Sequence, residues 1–240
     1  MNKPIFTIAS WNVNSLPVRA SQIIDWLSKR PIDVLAIQET KVTNEKFPVS
    51  LFTDLGFHIA YSGQKTYNGV ALISRTPLTD IWIESHDISE RRIIAATIND
   101  LRMINLYVPN GSHPSSDKYQ YKLAWLENIE SFIATELQRY PKLAVVGDFN
   151  IAPQDLDVHD PNEWLDCVLC SPLERAALER IQSLGLHDSF RKMNPTVQNY
   201  TWWDYRAASF RRNRGLRIDL ILLSHALNDY CIETGIDAEP

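Results

Sequence analysis

The sequence predicts a mixed α/β (α+β) domain in which two packed sheets are covered by helices on their outer faces. Three observations carry that expectation. Short apolar runs that stop at polar residues recur along the chain, residues 57–108 read as a succession of strands, and beyond them long helical periodicities alternate with single strands. The chain of 240 residues, 45% of them hydrophobic, can bury a substantial core and is expected to form one domain, residues 1–240.

Residues 6–11 read as a strand. Residues 18–29 read as an amphipathic helix, with Ile23, Ile24, Trp26 and Leu27 at helical spacing. Residues 33–38 are nearly all apolar, as in a strand buried on both faces. Strands over 57–62 and 70–74 flank Asn68-Gly69, a dipeptide suited to a tight hairpin turn. Strands over 81–85, 92–98 and 101–108 continue the run, the last two joined at Asn99-Asp100. Ser116 and Asp117 are good N-cap residues for a long helix carrying Leu123, Leu126, Ile129, Phe132, Ile133 and Leu137 at three- and four-residue steps. That helix delivers the chain to a strand over 143–148. A loop dense in Asp and Pro over 152–166 leads to a helix over 173–184 that Gly185 stops, and 217–223 and 230–236 read as strands.

Lys and Arg number 24 against 29 Asp and Glu, a net charge of -5, which argues mildly against a polyanionic partner, although the distribution of charge matters more than its sum. No apolar run is long enough to span a bilayer and no N-terminal signal region is visible, so a soluble, cytoplasmic, monomeric protein without a membrane partner is expected. The three cysteines, Cys167, Cys170 and Cys231, are too few for a secreted disulfide framework. Cys167 and Cys170 have redox spacing but neither a strand-to-helix setting nor a second ligand pair for zinc, and read as reduced thiols.

Candidate chemistry lies at the polar ends of the apolar runs. Glu39 ends one of them, where a bare carboxylate is costly unless it meets a cation or a hydrogen-bond donor. A site of one or two carboxylates, completed by waters and a substrate phosphate, suits Mg²⁺ or Mn²⁺; a salt bridge to Lys41 is the plainer alternative. In Gly147-Asp148-Phe149-Asn150 two polar side chains two apart share a face of an extended chain, although Asp-Phe-Asn is also ordinary turn chemistry. Asn12 and Asn14 close the first strand in the same form. Asp219 sits in an apolar strand and needs a partner. Polar groups at several strand ends suggest one shared mouth.

The motifs Ser10-Trp-Asn12, Ile37-Gln-Glu-Thr-Lys41, Asn105-Leu-Tyr107-Val-Pro-Asn110, Gly147-Asp-Phe-Asn150, Thr201-Trp-Trp-Asp-Tyr-Arg206 and Asn213-Arg-Gly-Leu-Arg-Ile-Asp219 together resemble the exonuclease III family of abasic-site endonucleases, within the wider endonuclease, exonuclease and phosphatase superfamily. The resemblance spans nearly the whole chain, in order. It implies a four-layer αββα sandwich of the DNase I-like kind. It also implies divalent-metal hydrolysis of the phosphodiester 5′ to abasic sites in double-stranded DNA, with 3′–5′ exonuclease and 3′-phosphatase action at blocked 3′ ends as further expectations. By the resemblance Glu39 ligates the metal, with Asn12 close by and Asn14 in the outer shell. Asp148 aligns or deprotonates the attacking water, Asn150 hydrogen-bonds the phosphate and the nucleophile, and Tyr107 donates to a phosphate oxygen or assists the leaving group. Asp219 is the family's histidine partner. Trp202, Leu216 and Ile218 surround a flipped-out deoxyribose, with core packing as the alternative, one that Trp203 suits in particular. Lys41, Arg91, Asn110, Lys118 and Lys122, with Arg206, Arg211, Arg212, Arg214 and Arg217, offer a phosphate-contacting footprint; a solvated basic loop is the alternative.

One departure stands out. The family closes on a Ser-Asp-His segment, whereas this sequence stops at Glu239-Pro240 without one, and neither His225 nor His159 stands in a position to replace it. On that ground the chain as written is expected to be inactive or crippled, with a bare sheet edge where the last strand would lie. A catalytically silent DNA- or protein-binding paralogue, and a superfamily phosphatase or phosphodiesterase acting on small substrates, are the competing readings.

Overall fold

The computed structural model describes residues 5–84, 90–206 and 208–237. The chain divides into two compact units, one of Met1–Tyr107 with Val145–Gly147 and Asp237–Pro240, the other of Val108–Ala144 with Asp148–Ile236.

The first unit runs β1 (Ile8–Asn12), α1 (Leu16–Lys29), β2 (Val34–Gln38), α2 (Val49–Thr53), β3 (His58–Ser62), β4 (Val70–Ser74), β5 (Leu78–Ile83), β6 (Ile93–Ile98) and β7 (Leu101–Tyr107). A four-stranded sheet takes the order β1-β2-β4-β3. Its one parallel pair, β1 with β2, needs a crossover, and α1 supplies it, burying Leu16, Ile23 and Leu27 against Leu35, Ile37, Ile73 and Phe52. The other faces of β2 and β4 meet β6 and β7. That explains why β2, β4 and β6 are buried at every residue and are apolar but for Gln38, Ser74 and Thr97.

The second unit contains α3 (Asp117–Arg139), α4 (Pro172–Ser183), β9 (Leu186–Asp188), α5 (Ser189–Met193), β10 (Trp202–Trp203), β11 (Gly215–Leu216), β12 (Asp219–Ser224) and α6 (His225–Asn228), and β8 (Leu143–Asp148) has residues in both units. Ser116 caps α3 by accepting the Tyr119 N–H at 3.2 Å, and α4 opens on a capping box between Ser171 and Glu174. A six-stranded sheet is hydrogen-bonded in the order β5-β6-β7-β8-β12-β9, so the chain holds two mixed sheets flanked by helices, as expected.

Two expectations are corrected. Residues 230–236 form no strand: Tyr230 and Ile232 alternate as a strand would but are 68% and 66% exposed, with no described strand beside them. The strand expected over 81–85 begins earlier, at Leu78, and Ser85 lies outside the described residues. No described helix is long and apolar enough to cross a membrane.

Candidate active site

The candidate residues fall into two groups, one in each unit. In the first, β1 and β2 lie side by side with Asn12 opposite Gln38, which places Asn12 next to the Glu39 that follows β2. Asn12 Nδ2 donates to Glu39 Oε1 at 2.9 Å, and Lys41 Nζ lies 2.8 Å from Glu39 Oε2 and also donates to Asn14 Oδ1. Burial alone would raise the Glu39 carboxyl. The hydrogen bonds from Lys41 and Asn12, the Lys41 charge and the Tyr107 hydroxyl outweigh it and hold the group below the usual carboxylate range. The salt bridge considered as the plain alternative for Glu39 is therefore real, and it coexists with a carboxylate that stays ionised with 18% of its side chain exposed.

The backbone of this group is strained. Asn14, Glu39 and Lys41 have φ of 45°, 55° and 54°, the left-handed region that residues other than glycine seldom occupy. What holds them is a polar pin beneath. The buried side chain of Asn105 donates to Ile37 O at 2.9 Å and Ala71 O at 3.0 Å and accepts from Gln38 Nε2 at 2.7 Å, while Gln38 reaches Ser10 Oγ at 3.1 Å. These contacts join β1, β2, β4 and β7 one or two residues from Asn12, Glu39 and Tyr107. Arg92, which the sequence reading passed over in favour of its neighbour Arg91, lies over the Tyr107 ring at 4.7 Å and donates to Tyr107 O. Arg91 is half-buried, and its carbonyl accepts the Gly69 N–H.

In the second group, Asp148 and Asn150 are each 5% exposed. Asp148 Oδ1 accepts the Asn150 N–H at 2.9 Å, and Asn150 has a left-handed φ of 50°. The segment Asp148-Phe149-Asn150 takes the turn form, with Asn150 left-handed just beyond the end of β8. The Asn150 amide is oriented by main-chain groups at either end of a short chain. Val108 O can only accept, so it must face Asn150 Nδ2 (2.9 Å). Asn150 Oδ1 then faces the Asn110 Nδ2 (3.1 Å), and Asn110 Oδ1 is left to receive the Ser112 N–H (3.2 Å). Asn110, expected at the DNA surface, is exposed but spends its side chain on Asn150. Gly147 precedes this turn because no other residue fits: its φ is 137°, and a Cβ there would lie 2.0 Å from Leu106 O.

Asp219 opens β12 half-buried, its N–H and that of Ile218 both donating to Thr201 Oγ1 at 3.1 Å. Leu216 and Ile218 are fully buried with Ala152, Val158, Leu169 and Cys170; Trp202 packs on this cluster and meets Trp164 edge-on at 6.3 Å. Of the three residues expected around a sugar, only Trp202 presents surface, and Trp164 joins it unforeseen. Trp203, half-buried, meets the buried Tyr200 and the exposed Phe210 edge-on.

Four expected phosphate contacts are corrected or reduced. Lys122 is 0% exposed and paired with Glu174, so it is no part of a surface footprint. Arg217 is 1% exposed, held by Asp157 at 2.7 Å and by both oxygens of Asp188 at 2.7 and 3.2 Å. Both charges are buried with partners because a buried cation without one is prohibitively costly. Arg214 pairs with Glu163, and Arg206 with Asp204 at 2.9 Å while remaining exposed; Lys118, Arg211 and Arg212 are exposed.

All three cysteines are free. Burial pushes the Cys170 thiol up to about 12, so at pH 8 iodoacetamide should leave Cys170 unmodified in the native protein and alkylate it after denaturation. Peptide mapping checks this, and rapid native labelling of Cys170 would contradict it.

This fold, with a strained carboxylate turn in one unit and an Asp-Asn turn in the other, is that of metal-dependent phosphoesterases, and the chain belongs to the endonuclease/exonuclease/phosphatase family, whose profile matches residues 9–240. It is similar to exodeoxyribonuclease III of Haemophilus influenzae, 36% identical over 242 aligned positions covering 95% of this chain and 91% of that protein. Among solved structures, the 3′ phosphatase NExo from Neisseria bound to a product DNA hairpin matches with a TM-score of 0.92 and 43% identity, covering 94% of this chain and 89% of that one. An AP endonuclease from Archaeoglobus fulgidus matches with a TM-score of 0.94 and 38% identity, covering 98% and 93%.

Proposed function

We propose that this protein is a DNA-repair nuclease that hydrolyses the phosphodiester 5′ to abasic sites in duplex DNA. The observation that carries the reading is the Asp148–Asn150 turn, in which a carboxylate and an amide of fixed orientation stand two residues apart. Glu39 fits a hard cation: one carboxylate suffices for Mg²⁺ when waters and a phosphate complete the shell, the lowered Glu39 carboxyl is ionised at neutral pH, and Asn12, which turns its Nδ2 to Glu39, has only the Oδ1 that accepts the Asn14 N–H as a second oxygen. When bound, Mg²⁺ or Mn²⁺ would neutralise charge developing on the phosphate. Asp148 accepts the proton of the attacking water. Asn150 has one Nδ2 hydrogen committed to Val108 O and directs the other to a phosphate oxygen. Tyr107 donates to the phosphate or to the departing oxygen, and Asp219 supports the same reaction. Trp202 offers an apolar wall that a sugar without a base can approach, while Arg211 and Arg212 meet the flanking backbone.

The Neisseria relatives, at 43% and 44% identity, are a 3′ phosphatase and a 3′–5′ exonuclease. They favour a second reading of the same chemistry, directed at 3′ ends. Both readings are tested with the protein carrying its natural C-terminus, on two duplexes, one with an internal abasic site and one ending in a 3′ phosphate. Incision 5′ to the lesion, abolished by EDTA and restored by Mg²⁺, is the expected result. Release of the 3′ phosphate without incision would move the assignment to the second reading. Inertness toward both, with hydrolysis of sugar phosphates, would overturn the nuclease reading.

A further inference from the structure

We infer that Lys122 and Glu174, a charge pair sealed inside the second unit, form a positioning device for the amide of Asn150; the inference rests on the phosphate-contacting part given to Asn150 above. An ammonium carries three hydrogens, and all three are assigned. Lys122 Nζ donates to Asn150 O at 2.7 Å, to Asn110 O at 3.2 Å and to Glu174 Oε1 at 2.5 Å. Glu174 is equally committed, with Oε1 accepting the Leu169 N–H at 3.1 Å and Oε2 accepting the Ser171 N–H at 3.1 Å and the Ser171 hydroxyl at 2.6 Å. Both side chains are 0% exposed.

The two carbonyls that Lys122 grips belong to the two residues whose side chains hydrogen-bond each other, Asn110 and Asn150. Each asparagine is therefore held twice, once through its amide and once through its main chain. The grip falls where the backbone most needs one, on the left-handed Asn150. The chain has also made room for it. Gly111, at φ 94°, follows Asn110, and a Cβ there would press on Lys122 Cδ at 3.2 Å. A buried ion pair is seldom more stabilising than apolar residues of the same volume, so fold stability alone gives no reason for this one. An apolar pair would fill the space between α3 and α4 but could not hold two carbonyls.

The test is the double variant Lys122→Met/Glu174→Gln, which removes both charges together and leaves neither buried without its partner. On the substrate the wild type cleaves, kcat should fall roughly 10²-fold with KM little changed, because the misplacement affects the reacting phosphate and not the footprint. In an Asn150→Ala background the same double variant should bring little further loss, since there is no longer an amide to position. An unchanged kcat, or a loss that multiplies undiminished in the Asn150→Ala background, overturns the inference. Hydrogen exchange is read in parallel and does not depend on catalysis. Amides over 148–152 should lose protection by roughly tenfold in the double variant while those of β6 keep theirs, and unchanged exchange overturns the inference even if no substrate is cleaved. Failure of the wild type on both duplexes, with the exchange result as expected, would count against the nuclease reading alone.

Discussion

Asp148→Asn is expected to lower turnover on an abasic duplex by about 10² to 10⁴-fold while the protein stays folded. The substitution is nearly isosteric. An asparagine oxygen can still accept the Asn150 N–H, which Asp148 Oδ1 takes at 2.9 Å, and the main-chain oxygen still receives the Val108 N–H. What is lost is basicity, since an amide cannot take the proton of an attacking water. The fall should therefore appear in kcat, with DNA affinity unchanged or improved as a negative charge near the phosphate disappears. Single-turnover cleavage and a gel shift under the same salt separate the two effects. A loss of less than threefold would show that Asp148 is not the base.

The second large effect concerns stability. Asn105→Leu, close in volume, removes two donated hydrogen bonds and one accepted bond within a fully buried setting. At about 1 kcal/mol for each lost bond, and more where Gln38 Nε2 is left to Ser10 alone, the destabilisation should reach about 3 kcal/mol or more. Urea unfolding followed by tryptophan fluorescence measures it. A change below about 1 kcal/mol would mean that the packed sheets reseal around leucine and that the pin is dispensable. Because the pin joins strands that carry Asn12, Glu39 and Tyr107, Mg²⁺ affinity should weaken along with stability.

The legible elements carry either a long period or a compact apolar run. α3 declares itself by a capping serine and six spaced apolar residues, and β2, β4 and β6 by apolar runs that their burial on both faces requires. Short elements of mixed composition, such as α2, β9, α5 and the pair of β10 with β11, offer neither an apolar run nor enough residues to show a period. The expected strand over 230–236 failed for the opposite reason, since alternation persists there without a neighbour to pair with. In the candidate site, the residue types at strand ends were readable, whereas burial was not. Lys122 and Arg217 looked like surface cations because nothing local distinguishes them from Lys118 or Arg211. Their carboxylate partners, Glu174 for one and Asp157 and Asp188 for the other, stand far away in sequence. Ser171-Pro-Leu-Glu174 carries the pattern of a capping box, which the helix expected over 173–184 does not use, and nothing local marks Glu174 as the anchor of a lysine.

The left-handed turns at Asn14, Glu39, Lys41 and Asn150 bear on how such a protein can change over generations. Glycine would ease the backbone at any of these positions by about 1 kcal/mol, and at each it would remove a side chain of the candidate site. Breeding the protein for heat resistance alone would thus drift toward a sturdier molecule, and under the proposed function only a demand for repaired DNA would keep the awkward residues where they are.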